Sequence, residues 1–138
     1  MFSKEDRSEI MRRVHSTNTR PEIRVRSFLH RLGYRFRIHR KDLPGNPDIV
    51  LPKYGVVIFV HGCFWHRHKN CRRATTPSSQ QDYWLTKFDK TVERDKRTKK
   101  ALKRLGWTVL VVWECETKNL TRFERCLVDA ISRLQPSK

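Results

Sequence analysis

No stretch of this chain is apolar for long enough to cross a bilayer. Its longest apolar runs, Val56–Val60 and Val109–Trp113, are a fraction of the roughly 20 residues a membrane helix needs. No apolar segment follows the first basic residues, so nothing reads as a secretory leader. A soluble, intracellular protein is the expectation. Acidic residues are also scarce: 14 Asp and Glu face 31 Lys and Arg, a formal net charge of +17 over 138 residues. A compact body so charged repels itself unless an anionic partner neutralises it. A nucleic acid fits that role better than a membrane surface. Charge alone carries no base specificity, because phosphate contacts position a protein without reading sequence. No internal repeat, low-complexity tract or linker interrupts the chain, and 1–138 suits a single domain with a modest core. Cysteine is limited to four positions. In a reducing compartment, with histidines adjacent, metal ligation is favoured over disulfides.

What is present reads as α/β. Phe2–Val14 is helix-compatible, with basic residues projecting, and suggests an N-terminal arm over 1–18 that orders on DNA; a frayed terminus is the alternative. Thr19 is a plausible N-cap, Pro21 and Glu22 fit a first turn, and Val25, Phe28, Leu29 and Leu32 form one helical stripe ended by Gly33. Tyr34–His39 alternates like a half-buried strand. Asp48–Leu51 and Val56–Val60 read as short strands. A long helix follows Pro77, with Leu85, Phe88, Val92 and Leu102 inward. The same spacing lands on Asp95, a carboxylate that is costly on a core-facing stripe without a partner. Trp107–Trp113 suits a buried strand. Leu120, Phe123, Leu127, Ala130 and Leu134 trace a last helix, with Cys126 beside the stripe as a core thiol. This order predicts a mixed central sheet with helices on both faces.

The chemistry concentrates in Val56–Cys71, which reads VVIFVHGCFWHRHKNC. Cys63, His68 and Cys71 offer three metal ligands on a loop leaving a strand, and Cys115 stands where a fourth is needed. Thiolate and imidazole with no open position suit structural zinc. His66 is an available substitute, and an unlinked buried cysteine with surface histidines is the bland alternative. Pro47-Asp48 at a strand start is like the first half of the nuclease pattern PD…(D/E)xK, in which carboxylates hold Mg²⁺ beside a phosphate. The second half is missing, because the expected positions read Phe59-Val60-His61. Glu22, His61, His66 and Asp95 are the groups that could supply it, although each singly has an ordinary structural reading.

The blocks Met11–Val14, Thr19-Arg20-Pro21-Glu22, His39–Gly45, Pro47–Pro52, HGCFWH at His61–His66, Val92-Glu93-Arg94-Asp95 and Gly106-Trp107…Val112–Cys115 appear in order. Through them the chain resembles the very short patch repair (Vsr-type) DNA mismatch endonucleases, over roughly residues 3 to 117. The resemblance implies a restriction-endonuclease-like (PD-(D/E)xK-related) fold with a structural zinc site. It also implies a Mg²⁺-dependent nick 5′ of the thymine in T:G mismatches left by deamination of 5-methylcytosine, the start of very short patch repair. It casts Asp48 as Mg²⁺ ligand with the Val60 backbone carbonyl, and His66 as general acid/base oriented by Asp95. Glu22 becomes a carboxylate near the hydrated metal, and His61 a second active-site histidine. Cys63, His68, Cys71 and Cys115 form the zinc set, and Phe64, Trp65 and Trp84 the intercalating wedge. Val60 stands where some relatives carry threonine, and Lys69-Asn70 lengthens the His68–Cys71 spacing. The implied partners are double-stranded DNA with a T:G mismatch and other mismatch-repair proteins, for a monomer in the bacterial cytoplasm at the nucleoid. Two rivals remain: a zinc-stabilised DNA-binding module without catalysis, and a restriction-type nuclease acting on non-mismatched sites.

Overall fold

The computed structural model describes residues 19–134, with side chains to residue 132. The expected helix at Phe2–Val14 and the arm over 1–18 lie outside the described residues. Helix α1, Arg20–Arg31, starts where Thr19 Oγ1 accepts the Glu22 N–H at 3.4 Å with proline in the first turn, relieving an otherwise orphaned donor. Its stripe buries Val25 and Leu29 completely. Strands β1 (Arg37–Ile38), β2 (Ile49–Leu51) and β3 (Val56–His61) follow, then the 24-residue helix α2 (Gln81–Arg104), strand β4 (Thr108–Trp113) and helix α3 (Thr121–Leu134). The strands lie in the order β1-β2-β3-β4, antiparallel through β3 and parallel from β3 to β4. The parallel step requires a long crossover, and α2 provides it.

Because side chains alternate across a strand, β2 and β3 feed two cores. On one face Ile49, Leu51, Val56 and Ile58 pack with Val25 and Leu29 of α1 and Phe123 and Leu127 of α3. On the other, Val50, Val57 and Phe59 pack with Leu43 and with Leu102 of α2. Strands covered on both sides read as unbroken apolar runs, which is how both appear in the sequence. The mixed sheet with helices on both faces is as expected. Gly45, at φ 73°, lets the turn before β2 seat on α2, where a Cβ would collide with the Thr98 side chain.

Several local expectations are corrected. The Tyr34–His39 strand shrinks to Arg37–Ile38, both exposed. Tyr34 and Phe36 pack on the core from unpaired chain, and His39 turns away at φ 52°. The apolar run in β4 is an edge strand in which only Val112 is buried, since β3 pairs with it on one side alone. Leu85 is 47% exposed, outside the inward face that Phe88 and Leu102 define. The long helix begins at Gln81, three residues later than the chain just after Pro77. Cys126 is exposed rather than in the core. Among the described residues, no helix is long and apolar enough to cross a membrane.

Candidate active site and metal cluster

Where β2 begins, Asp48 takes over the edge of β3: its Oδ2 accepts the Val60 N–H at 2.7 Å. Burial, opposed by this hydrogen bond and aided by the charge of Glu22, pushes the Asp48 carboxyl up to about 7. Glu22 is itself only 2% exposed. Arg26, which can only donate, reaches Glu22 Oε2 at 2.8 Å and His39 Nε2 at 3.1 Å. A buried and a half-buried carboxylate, the second resisting ionisation under the charge of the first, are a donor set that a hard divalent cation would complete. Arg26 and His39 were not singled out from sequence. An i,i+4 pair on α1 signals Arg26 weakly, whereas His39 arrives only through tertiary structure.

One position beyond Val60, the partner of Asp48, His61 ends β3 and stacks flat on His66, ring centroids 3.8 Å apart and planes within 4°. His66 Nδ1 lies 2.6 Å from Asp95 Oδ2. An ionised carboxylate only accepts, so Nδ1 carries the proton and Nε2 is left as the basic atom. Asp95, the carboxylate misplaced on a core-facing stripe, thereby gains its partner. Burial first, and then His66 beside it, pulls the His61 imidazole down to about 3. His61 therefore stays neutral against its neighbour. These three groups could in principle ligate an ion, but parallel stacked rings aim their lone pairs side by side rather than at one point. The arrangement suits proton handling better. It opens on a cavity of about 440 Å³ between α2 and the sheet, lined by His61, His66, Asp95, Lys99, Val111 and Trp113.

The ligand atoms of Cys63, His68, Cys71 and Cys115 all lie within 4.8 Å of one another. His68 Nδ1 is 3.6 Å from Cys63 Sγ and 3.4 Å from Cys115 Sγ. A tetrahedral ion with ordinary zinc–sulfur and zinc–nitrogen bonds would set that edge at about 3.5 Å, so the donor set fits. Burial pushes the Cys63 thiol up to about 12. The Cys71 thiol is lowered by backbone N–H groups, that of Arg73 foremost. Trp113, read from the sequence only as the end of a strand and part of the Val112–Cys115 block, lies flat on His68 at 4.3 Å and edge-on to His61 at 5.3 Å. It spaces the Cys/His cluster from the histidine pair. His66, the alternative ligand, is turned instead to Asp95.

Phe64, Trp65 and Trp84 come together as expected, and Phe88 joins them. Phe64 packs edge-on to Trp65 at 5.2 Å and to Phe88 at 5.2 Å, and Trp65 lies 5.8 Å from Trp84. The Trp65 indole nitrogen is buried with no hydrogen-bond partner among the described residues. Thus the chain that carries His66 has an aromatic cluster before it and a metal-ligand set around it.

A family model described as DNA mismatch endonuclease Vsr matches residues 1–73, more than half of the chain. The chain belongs to the Vsr family. It is 46% identical to the DNA mismatch endonuclease Vsr of Escherichia coli, over 83% of this chain and 73% of that protein. The type II nicking enzyme V.XorIIP of Xanthomonas oryzae is 54% identical, over 89% of this chain and 90% of its own. The type II nicking enzyme V.NmeAIP of Neisseria meningitidis is 44% identical, over 95% and 98%. As a Vsr-family protein the chain is an endonuclease, a phosphodiester hydrolase acting on DNA. Asp48, His61 and His66 fall inside the matched segment, while Asp95, on α2, and Cys115, just past β4, lie outside it.

Proposed function

We propose that this Vsr-family endonuclease nicks one strand of duplex DNA 5′ of the thymine in a T:G mismatch, Mg²⁺-dependently, and so starts very short patch repair of deaminated 5-methylcytosine. The observation that carries the proposal is His66, oriented by Asp95 through a 2.6 Å hydrogen bond and flanked in sequence by the Phe64–Trp65 aromatic pair. A mismatched step stacks poorly, so opening it costs less than opening a paired step, and inserted rings turn the difference into selectivity. Phe64, Trp65 and Trp84 are the rings that would enter. His66 Nε2 moves the proton at the scissile phosphate, His61 stays neutral beneath it, and Asp95 holds the tautomer. Asp48, Glu22 and the Val60 carbonyl would hold Mg²⁺, which when bound supplies charge neutralisation at the phosphate and a more acidic water. Cys63, His68, Cys71 and Cys115 would hold Zn²⁺ as a brace that takes no part in the reaction.

The mixed sheet flanked on both faces supports a restriction-endonuclease-like fold. A binding module without catalysis would have no use for both the oriented His66–Asp95 pair and an Asp48 carboxyl held against ionisation. The test is a duplex with one T:G mismatch, each strand labelled, with and without added Mg²⁺. A nick 5′ of the thymine only with Mg²⁺ is the expected result. A bound but uncut duplex would overturn the enzyme reading, and equal cutting of a T:A control would favour the restriction-type alternative.

A further inference from the structure

Arg67, between His66 and His68, belongs neither to the acid groups nor to the thiol cluster. Its backbone lies in the left-handed region at φ 55°, a conformation a non-glycine residue keeps only where its surroundings enforce it. The guanidinium does the enforcing. Nη1 donates to the carbonyls of Phe64 at 3.2 Å and Thr75 at 2.9 Å. Nη2 donates to the Ala74 carbonyl at 3.0 Å and to Thr76 Oγ1 at 3.1 Å. The guanidinium carbon also sits 3.9 Å from the centre of the Phe88 ring.

One side chain therefore ties three segments: the turn bearing Phe64 and Trp65, the loop 74–76 after the last cysteine of the turn, and the α2 face bearing Phe88 and Trp84. The rings have no comparable tether of their own. Phe64 has no polar side-chain atom, and the Trp65 N–H is buried without a partner among the described residues. Edge-on ring packing is weakly directional, whereas a planar fork with its donors fixed in space sets both height and angle. A guanidinium committed to three carbonyls and a hydroxyl is also poorly placed to grip a DNA phosphate.

We propose that Arg67 is the positioning residue of the aromatic wedge, holding Phe64 and Trp65 against α2 independently of the Cys/His cluster. This rests on the mismatch-wedge reading above. The residue acts through the rings and touches neither base nor metal. Lysine keeps the charge but brings a compact ammonium that cannot span the same acceptors, so Arg67→Lys should fall between wild type and Arg67→Ala.

The experiment uses the full chain and duplexes carrying 2-aminopurine beside the mismatch, which brightens when its stack opens. Wild type should raise the emission on the T:G duplex and bind it in preference to T:A. In Arg67→Ala the emission rise should be largely lost and the T:G over T:A preference should fall about tenfold, the scale of one base–aromatic stack. T:A affinity and bound zinc per chain should stay at wild-type values. An unchanged emission rise and preference would overturn the proposal. Equal loss of T:G and T:A affinity would also overturn it, making Arg67 a plain phosphate contact, as would loss of zinc together with the preference. If Arg67→Ala does not fold, Arg67→Lys decides, and a wild-type preference there sinks the idea. A wild type without T:G preference would instead refute the function proposed above.

Discussion

Asp48→Asn should make this protein more stable, and by an amount that depends on pH. The Asp48 carboxyl is held at about 7 against an ordinary 3.8, chiefly by burial. A raised acid destabilises the fold only above its unfolded pKa. At low pH both states keep the proton. As pH rises past 3.8 the unfolded chain releases it while the folded one resists, and the cost stops growing near 7. At about 1.36 kcal/mol per unit, the cost is about 2 kcal/mol at pH 5.5 and about 4 kcal/mol at pH 8. Asparagine, like the protonated acid, still offers the Val60 N–H an acceptor, and the charge assistance of the ionised form is already contained in the value of about 7. The variant should therefore gain about 2 kcal/mol at pH 5.5 and about 4 kcal/mol at pH 8. Denaturant unfolding followed by tryptophan fluorescence, without added Mg²⁺ and without a chelator that would strip the thiol cluster, measures both. Magnesium should then narrow the gap by stabilising wild type alone. A pH-independent difference, or a variant less stable than wild type at pH 8, would refute the reasoning.

Other substitutions separate the parts of the site. His66→Ala should slow nicking by about 10²–10⁴-fold, the usual scale of general acid–base catalysis, with T:G affinity unchanged by gel shift; a parallel loss of affinity would point to a binding role. Cys115→Ser should lower bound zinc below one per chain by elemental analysis and reduce the melting temperature, whereas a full zinc complement would remove Cys115 from the set. Trp65→Ala should reduce T:G over T:A discrimination by about 5- to 150-fold, from about 1–3 kcal/mol of stacking. An unchanged ratio in competition binding would take the indole out of the wedge.

Much of this site was legible because its chemistry is dense. Thiols and imidazoles packed into Cys63–Cys71 announce a candidate metal-ligand cluster, and Asp95 announces a missing partner by standing where a carboxylate is expensive. Helices α1 and α3 follow from capping and 3–4 spacing, which are local. Properties that depend on which strand lies beside which were not legible. The run Val109–Trp113 is as apolar as a central strand, yet it forms the sheet's edge, since strand order is written in no single segment. The same holds for His39, which meets Glu22 only after the chain has turned at a left-handed residue. Arg67 escaped notice because an arginine in a basic chain looks like one more solvated charge, and only its hydrogen bonds show otherwise.

Helix α2 also acts as a caliper. Trp84 and Asp95 are eleven residues apart, which is three turns and about 16 Å along the axis, so both emerge on nearly the same side of one rod. Under the proposed function, the rod holds the two groups that back the loop-borne Phe64–Trp65 pair and His66, namely Trp84 and Asp95, a fixed number of turns apart. Inserting a single residue between them would swing Asp95 by about 100° away from His66, while shifting it only about 1.5 Å along the axis. The length of this helix between those two residues should therefore tolerate substitution freely and insertion hardly at all.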